Sequence, residues 1–532
     1  MGSSSPSRRL LTLLIAAALA ALAGWRFLHG QPAGLPVDDA YIHLVYAQNL
    51  AQGLGWCFNA GEPSLGTSSP LWVFLIRCLL PFFQPEAAVR VLAMGALILS
   101  AVLLADLAFL IIPSQGWPSH WSRLALACSA ALFFVFSGNL LWIAFCGMES
   151  LVFLMLGLLA IRGMVSGKPG ALTGFCLALI ILTRIEGAIL YFLILGWWLW
   201  RLSKMEQARG LASTLWFLIA PLAWAAWTAY IWRRFDLFLP STMAGKLASN
   251  LFNAGLSWRG PLLFYWRHMV YLVKWDYEVS GMILFFFSSF VFFGRSRPHA
   301  AWISDADKEK ALLLFLILGW GMANFLLHAF LFRSTAAITP YHCLRYQVLI
   351  FPSLALSVVW SLSFLRRTVA YSIRRKIFHS LVSFILAYPF LFSFYQWQEI
   401  RKNHVNHLQL SHQAAALWAK IHLPKDARIA GFDIGSLKFF SGRYVIDLGG
   451  LTDPAVWPYL HDRRVGPFLV KERATYYFGL DRPPEEGITG VRRDDGKLYR
   501  LQELARFDAP DYPTPVLLHS RGVIVYKLEL IP

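Results

Sequence analysis

The sequence predicts a mainly α polytopic membrane protein that carries a C-terminal soluble α/β domain on one side of the bilayer. Three observations predict it. Of the 532 residues, 57% are hydrophobic and only 15% charged, well below the ~25% charged residues of an ordinary soluble domain, and the mean hydropathy is +0.51. Apolar runs recur at close to the ~20 residues that a bilayer crossing needs. From about Asn403 onward the runs give way to short strand-like segments punctuated by glycine and proline.

Taken in order, residues 1–9 are polar, and Arg8 and Arg9 precede the apolar stretch Leu10 to Leu28. That stretch is long, no small-residue cleavage site follows, and further spans come after it, so it reads as a retained signal anchor. Its flanking arginines place the N-terminus in the cytoplasm and the next loop, 30–87, outside. Within that loop Ile42, Val45, Tyr46 and Leu50 recur at helical spacing, with Gly53 as a stop. The pattern predicts a short amphipathic helix near the membrane surface. A second helix is expected from Ser69 as N-cap and Pro70 in the first turn, running towards Pro81.

Further spans are expected near 88–112, 123–137, 150–166, 171–185, 188–202, 211–231, 281–294, 311–332, 346–365 and 378–395, roughly eleven with the first. They make a membrane domain over 1–398, followed by a soluble one over 399–532. Alternation from a cytoplasmic N-terminus puts Arg162 and Lys168, Arg201, Lys204 and Arg209, Arg295, Arg297, Lys308 and Lys310, and the run from Arg366 to Lys376 on inner links. These are the basic clusters that inner links carry. In the C-terminal part a helix is expected over Leu410 to Ile421, stopped by Pro424. Strands are expected at Arg428 to Phe432, Tyr444 to Leu448, Thr475 to Phe478, Val516 to Leu517 and Val523 to Leu528.

Several function classes drop out. The net charge of +18 lies largely in the short links that set topology, which argues for a bilayer and against nucleic acid. The six cysteines show no CxxC or Cys/His ligand spacing, so there is no metal site or disulfide framework to read. A bridge among Cys57, Cys146 and Cys343, all in outer loops, stays open. No GxGxxG, Walker or GxSxG signature is present.

The same alternation gathers the distinctive polar residues on the outer face. They are the adjacent Asp38 and Asp39, Glu149 in CGMES, Arg184 and Glu186 in TRIEG, Lys246 at the end of RRFDLFLPSTMAGK, and His342, Arg345 and Tyr346 in YHCLRY. Ionisable residues at span ends are costly unless paired or wet, which makes them functional candidates. Plainer roles stand beside that reading. Asp38 can cap the helix that follows it while Asp39 complements its dipole, Arg184 and Glu186 can form a local pair at Gly187, and His342 and Arg345 can snorkel to headgroups.

A membrane enzyme facing away from the cytoplasm draws its activated donors from the bilayer, as polyprenyl-phosphate-linked groups. Sugar transfer from such a donor needs a carboxylate to take the acceptor's hydroxyl proton. It also needs cations to hold the phosphate as charge develops, and an apolar groove for the isoprenoid. Asp38 and Asp39 match the first need, and Arg184, Lys246, His342 and Arg345 the second. The tryptophan- and phenylalanine-rich spans match the third.

The segment DDAYIHLVYAQNLAQGLGWCFNAGEP…GTSSPLW resembles the first outer loop of the GT-C superfamily of polyprenyl-phosphate-sugar glycosyltransferases. Within it, the resemblance is greatest to the mycobacterial terminal β-(1→2)-arabinofuranosyltransferase family and its bacterial relatives. Further counterparts are GMES (147–150), TRIEG (183–187), LPSTMAGK (239–246) and VIDLGGLTDP (445–454), so the likeness runs in order over most of the chain. Ile185 stands where the family has proline, and Ser69 and Ser241 where it has asparagine. These departures bear on the sugar, which the resemblance leaves between arabinofuranose and another pentose or hexose.

The resemblance implies an inverting transferase in the inner membrane of a bacterium, with a polyprenyl-phosphate-sugar donor and a glycan or other hydroxyl acceptor. One aspartate of the DD pair would be the general base. Asp38 is preferred because Asp39 falls inside the first helical turn, though the motif itself does not choose. Glu149, Glu186, Tyr41 and Trp72 are expected to support the site or the acceptor. No cofactor is named, and a divalent cation stays open. Two alternatives remain. A transporter or flippase for lipid-linked sugars would put its polar site near the bilayer midplane, usually with internal repeats, and none is seen. A non-catalytic glycan-binding scaffold would make no chemical use of the DD pair.

Overall fold

The computed structural model describes residues 6–112, 120–165, 169–203, 211–238, 305–331, 345–368, 392–461, 465–480, 499–512 and 522–530. The expected span at 281–294, most of that at 378–395, and Lys246, His342, Cys343 and the Val516–Leu517 strand lie outside them.

A helical bundle makes up the larger part. Its first helix, α1 (Pro6–Leu28), is followed by α2 (Asp38–Ala51), α3 (Pro70–Leu79), α4 (Pro85–Ile111), α5 (His120–Val135), α6 (Gly138–Ala144), α7 (Ser150–Met164), α8 (Ala171–Thr183), α9 (Gly187–Leu202) and α10 (Ile219–Phe235). Then come α11 (Asp305–Leu331), α12 (Ile350–Thr368) and α13, residues 392–408. Among the described residues three helical stretches are long and apolar enough to cross a membrane: Arg9–Leu28, Pro85–Ile111 and Ala212–Phe235. The pair α5–α6, bent by 64°, makes up to four. Other apolar helices are shorter. At ~1.5 Å per residue, the 15 residues of α7 reach only part of a ~30 Å hydrocarbon layer.

Small residues let these helices approach closely. In α1, Ala16, Ala20, Ala23 and Phe27 are buried, at helical spacing, on a single stripe, while Leu10, Leu14, Leu22 and Trp25 are exposed. The stripe packs on α4, whose Ala93, Ala96, Ala101 and Ala105 are buried in turn. In an apolar solvent, close packing of small side chains replaces the hydrophobic drive.

One ion-pair cluster orients the bundle. Asp106, near the end of α4, is buried and takes both arms of Arg9 at 2.7 and 2.8 Å, and it also pairs with Arg162. Arg9 begins α1 and Arg162 ends α7. The other ends of these helices, with the loops carrying Asp38, Glu149 and Glu186, therefore gather at the opposite end of the bundle.

The C-terminal part begins with α13. A π-helical turn (Gln409–Gln413), α14 (Ala414–His422) and α15 (Gly435–Ser441) follow it. It contains a five-stranded sheet in the order β2-β1-β3-β5-β4. The strands are β1 (Arg428–Gly431), β2 (Tyr444–Asp447), β3 (Tyr476–Leu480), β4 (Tyr499–Asp508) and β5 (Gly522–Leu530). Strand β1 runs parallel to β2 and β3, and β5 is antiparallel to β3 and β4. Four of the strands lie where the sequence predicts them. Strand β4, YRLQELARFD, was not anticipated, because it is an edge strand with mostly partly exposed or exposed residues and lacks a clean apolar alternation.

Alternation along the other strands divides the sheet between two cores. Ile429, Val445, Phe478, Val523 and Val525 join the core of the bundle. Their neighbours Ala430, Ile446, Tyr477, Ile524 and Tyr526 form a second core with Val465, Phe468 and Leu469. Successive side chains of a strand point to opposite faces, so the sheet is covered on both sides and one side is continuous with the bundle.

Candidate active site

The loop between α1 and α4 lies between the bundle and the C-terminal part. Helix α2 ends as the sequence predicts, at Ala51, with Gly53 at φ +77°. It does not, however, lie amphipathically on a surface. Residues 38 and 40–47 are buried on every side, because α15 packs against it. Helix α3 starts at Pro70 after Ser69, whose side chain makes no cap bond.

The two aspartates have different surroundings. The N-cap of α2 is Val37, with no side-chain cap bond, so Asp38 does not cap its own helix. Its carboxylate caps another one: Oδ2 accepts the Gly435 N–H at 2.8 Å and Oδ1 the Ser436 N–H at 2.7 Å. These are the first donors of α15, of the kind left unsatisfied at any helix start. Gly435 is needed here, since a Cβ would lie 2.1 Å from the Asp38 carbonyl oxygen. Burial and then the charge of Asp433 push the Asp38 carboxyl up to about 6, against His412 and the Ser436 N–H, which pull it down.

Asp39, one residue on, faces the other way. Its Oδ2 accepts from Arg345 Nη2 at 2.7 Å, and its side chain keeps 33% of its surface exposed. Arg345 is itself 3% exposed. It also meets the Tyr346 hydroxyl at 3.1 Å, and its carbonyl accepts from Ser150 Oγ at 2.9 Å. Snorkelling thus does not describe Arg345, which points inward to a carboxylate.

Beside this pair sits a second cluster built from helix ends. Glu149 precedes α7 and Glu186 precedes α9, both at N-caps, while Arg184 is the C-cap of α8. Each charge complements the dipole of its helix. Arg184 bridges the two carboxylates at 3.0 Å each, so the TRIEG pair is not merely local. Its guanidinium also lies over the Tyr346 ring, 4.4 Å from the centroid. His328 Nε2 is 3.4 Å from Glu186, and Asn324 donates to the Tyr346 carbonyl at 2.8 Å. Glu186 is held down to about 2, since Arg184 and then His328 outweigh the effect of burial.

His43 joins the two clusters. It lies one helical turn after Asp39, so both side chains share a face of α2. Its Nδ1 meets the Thr67 hydroxyl at 3.0 Å and its Nε2 lies 3.9 Å from Glu149. Burial pushes its pKa down, which favours the neutral ring. The sequence reading missed His43 and His328, and it placed Tyr346 on the outer face beside Arg345 without giving it a role. The i, i+4 spacing from Asp39 was the available signal for His43. His328 sits mid-run in an apolar helix, and only tertiary packing brings it to Glu186.

The other expected residues brace the loop. Tyr41 donates to Glu86 at 2.9 Å, accepts the Leu35 N–H at 3.2 Å, and packs against Phe439 and Phe440 of α15. Trp72 Nε1 donates to the Gly147 carbonyl at 3.1 Å. Gly147, at φ +97°, lies so close to α2 that a Cβ would meet that of Ala40 at 2.5 Å. In the C-terminal part Asp447 accepts the N–H groups of Gly449, Gly450 and Thr452, which shapes the GLTD turn. Cys57 and Cys146 are free thiols. Among the described residues no group of three histidines, cysteines or carboxylates is spaced to hold a metal ion.

The fold is shared with solved structures of two membrane transferases. The crystal structure of ArnT from Cupriavidus metallidurans bound to undecaprenyl phosphate aligns over 97% of this chain and 97% of that one, with a TM-score of 0.54 and 12% identity. The oligosaccharyltransferase AglB from Archaeoglobus fulgidus, in complex with an inhibitory peptide and a dolichol-phosphate, aligns over 89% of this chain and 69% of that one, with a TM-score of 0.51 and 13% identity. The mycobacterial arabinofuranosyltransferase AftD aligns at a TM-score of 0.45 and 15% identity, covering 97% of this chain and 40% of its own, too loosely to bear on the sugar. A family model described as a domain of unknown function, DUF8728, matches residues 398–526. In sequence, no curated protein matches the chain.

Proposed function

We propose that the protein is an inverting membrane glycosyltransferase that moves a sugar from a polyprenyl-phosphate donor to a hydroxyl acceptor on the outer face of a bacterial inner membrane. The observation that carries this reading is the state of Asp39. Of the three carboxylates in the joined clusters, Glu149 and Glu186 are enclosed, with side chains 4% and 12% exposed, while that of Asp39 is 33% exposed. A buried guanidinium orients it, 2.7 Å away. An accessible, oriented carboxylate beside an enclosed polar network is what a general base requires. The fold adds support, and so do the neighbours, which were crystallised with undecaprenyl phosphate and dolichol-phosphate.

In this reading Asp39 takes the proton from the acceptor hydroxyl as its oxygen attacks the anomeric carbon. The bond from that carbon to the phosphate oxygen breaks, the polyprenyl phosphate departs, and the configuration inverts. Arg345 orients the base, and Asp38 serves as the clasp between α2 and α15. Arg184 has two carboxylates as partners, and the joined clusters hold three carboxylates to two guanidiniums. The donor phosphate is therefore assigned to Lys246 and His342, with Arg345 alongside.

Purified protein in nanodiscs, offered polyprenyl-phosphate pentoses and hexoses with mono- and oligosaccharide acceptors, tests the proposal. Transfer with inverted anomeric configuration, abolished in Asp39→Asn, is expected. If no sugar moves from any such donor, or if the Asp39→Asn protein works at the wild-type rate, the reading fails.

A further inference from the structure

A cavity of about 260 Å³ lies between the first loop and the sheet, and Asp39 is not among its lining residues. Its walls come from the first loop, the end of α10 and the C-terminal part, and the first and last of these are firmly joined. The Asn59 side chain docks on the outer edge of β2 like another strand, with Nδ2 donating to the Val445 carbonyl at 2.8 Å and Oδ1 accepting the Val445 N–H at 3.0 Å. The Tyr444 hydroxyl donates to Glu62 Oε2, and the Arg428 guanidinium covers the Tyr444 ring at 3.7 Å. The cavity is thus held open by a satisfied strand edge and a braced aromatic ring.

The chemistry of the lining is unusual for this molecule. The chain carries a net charge of +18, yet the lining holds the carboxylates Glu62, Asp447, Asp453 and Glu472 and, among the described residues, no lysine, arginine or histidine. Asp447 is consumed by the GLTD turn. The other three engage through one oxygen each: Glu62 Oε2 with Tyr444, Asp453 Oδ1 with the Ala455 N–H, and Glu472 Oε2 with Arg428. Phe58, Pro63, Phe235 and Pro454 supply apolar surface. Carboxylate oxygens accept from hydroxyls in strong, charge-assisted bonds, and flat apolar surfaces suit the C–H face of a sugar ring. A phosphorylated sugar or a uronic acid would meet like charge. A metal ion would need three convergent ligands, and no such group occurs among the described residues. The volume lies just below the ~300–1,000 Å³ of drug-sized sites, which suits one sugar residue.

We infer that this cavity is a subsite for an uncharged sugar residue of the acceptor, distant from the reacting hydroxyl. The inference rests on the transferase reading for the word acceptor, though not for the binding of sugar. Its position supports the assignment. Leu65 lines the cavity, and two residues on, Thr67 holds His43, one turn from the base. A glycan seated in the cavity therefore touches the segment that shapes the base's surroundings.

The test measures binding and transfer separately, on the full chain in nanodiscs. The probes are neutral hexasaccharides (an arabinofuranosyl and a mannosyl series), an oligogalacturonate and a chitosan oligomer of the same length. At least one neutral series is expected to bind, and the uronate is expected not to. Glu62 lies at an exposed turn, so Glu62→Lys folds. That change should weaken the neutral probe about tenfold or more, as loss of a charge-assisted bond implies, with Glu62→Gln intermediate and Tyr444→Ala also weakened. The ratio of kcat/KM for hexasaccharide over monosaccharide acceptor should fall in step. Binding by chitosan alone, no binding by any neutral probe, or indifference to Glu62→Lys would overturn the subsite. Neutral-sugar binding that obeys these variants in a protein transferring nothing would keep the cavity and sink the transferase reading.

Discussion

At the scale of single residues, the proposed function divides the DD pair into a base, Asp39, and a clasp, Asp38. Asparagine in place of Asp39 keeps the size and the contact with Arg345 but cannot accept a proton. Asp39→Asn is therefore expected to slow single-turnover transfer by ~10²–10⁴-fold with the unfolding midpoint close to wild type. Asp38→Asn should do the reverse. One of its oxygens becomes an amide that faces a backbone N–H, and an unmatched buried donor costs about 1–3 kcal/mol. Its unfolding midpoint should drop, with activity falling only as far as the folded fraction does. A dead but stable Asp38→Asn protein would move the base by one residue. His407 offers a pH test in the same region. Burial and then His412 push its pKa down to about 4, against Asp433. A folded-state pKa below the ordinary ~6.5 means that the fold favours the neutral ring. That contribution, up to about 3 kcal/mol, is present above pH 6.5 and lost as pH falls towards 4. Thermal melts at pH 7 and 4.5 should show the loss, and His407→Gln should blunt it. Equal acid sensitivity in that variant would refute the assignment.

At the scale of elements, the chain joins its two parts through helix ends. Helix α15 begins without a cap of its own, and its donors are met by Asp38 from α2, far away in sequence. The contact is close enough that it depends on a missing side chain. Gly435→Ala must move α15 away from the Asp38 carbonyl, and such overpacking typically costs ~1–3 kcal/mol. Limited proteolysis is expected to release the C-terminal part faster from this variant, whereas Gly442→Ala, with open space around it, should suffer only the cost of its own φ of +66°. Unchanged proteolysis of Gly435→Ala would show that Asp38 does not clasp α15. The same logic of helix ends explains the buried charges. Glu149, Glu186 and Arg184 each sit where the helix dipole favours their sign, which offsets part of the cost of enclosing them.

At the scale of the whole molecule, the Asp106 cluster and the Asp39 cluster occupy opposite ends of one bundle. The orientation deduced from basic links predicts which end meets the cytoplasm. In a background without native cysteines, Gln52→Cys and Ala455→Cys, both at exposed positions, should react with an impermeant thiol reagent in intact cells. Ser203→Cys, also exposed, should react only after lysis. The inverse pattern would place the candidate site on the cytoplasmic face and remove the case for a lipid-linked donor.

The sequence alone sufficed for the elements whose cause is local. Apolar runs, Pro70 at a helix start, Gly53 at a helix stop and the alternating strands β1, β2, β3 and β5 all follow from backbone sterics and from side chains meeting lipid or core. It also singled out the DD pair, Glu149, Arg184, Glu186 and Arg345 as charges that a membrane protein retains only for a reason. What it could not supply was the partner of each. Neighbouring aspartates on a helix differ by about 100° in direction, and which of them meets α15 and which meets Arg345 depends on chain segments some four hundred and three hundred residues away. Hydrogen bonds form only within about 3 Å, so the partners of Asp38 and Asp39 were decided only when tertiary packing brought Gly435 to one and Arg345 to the other.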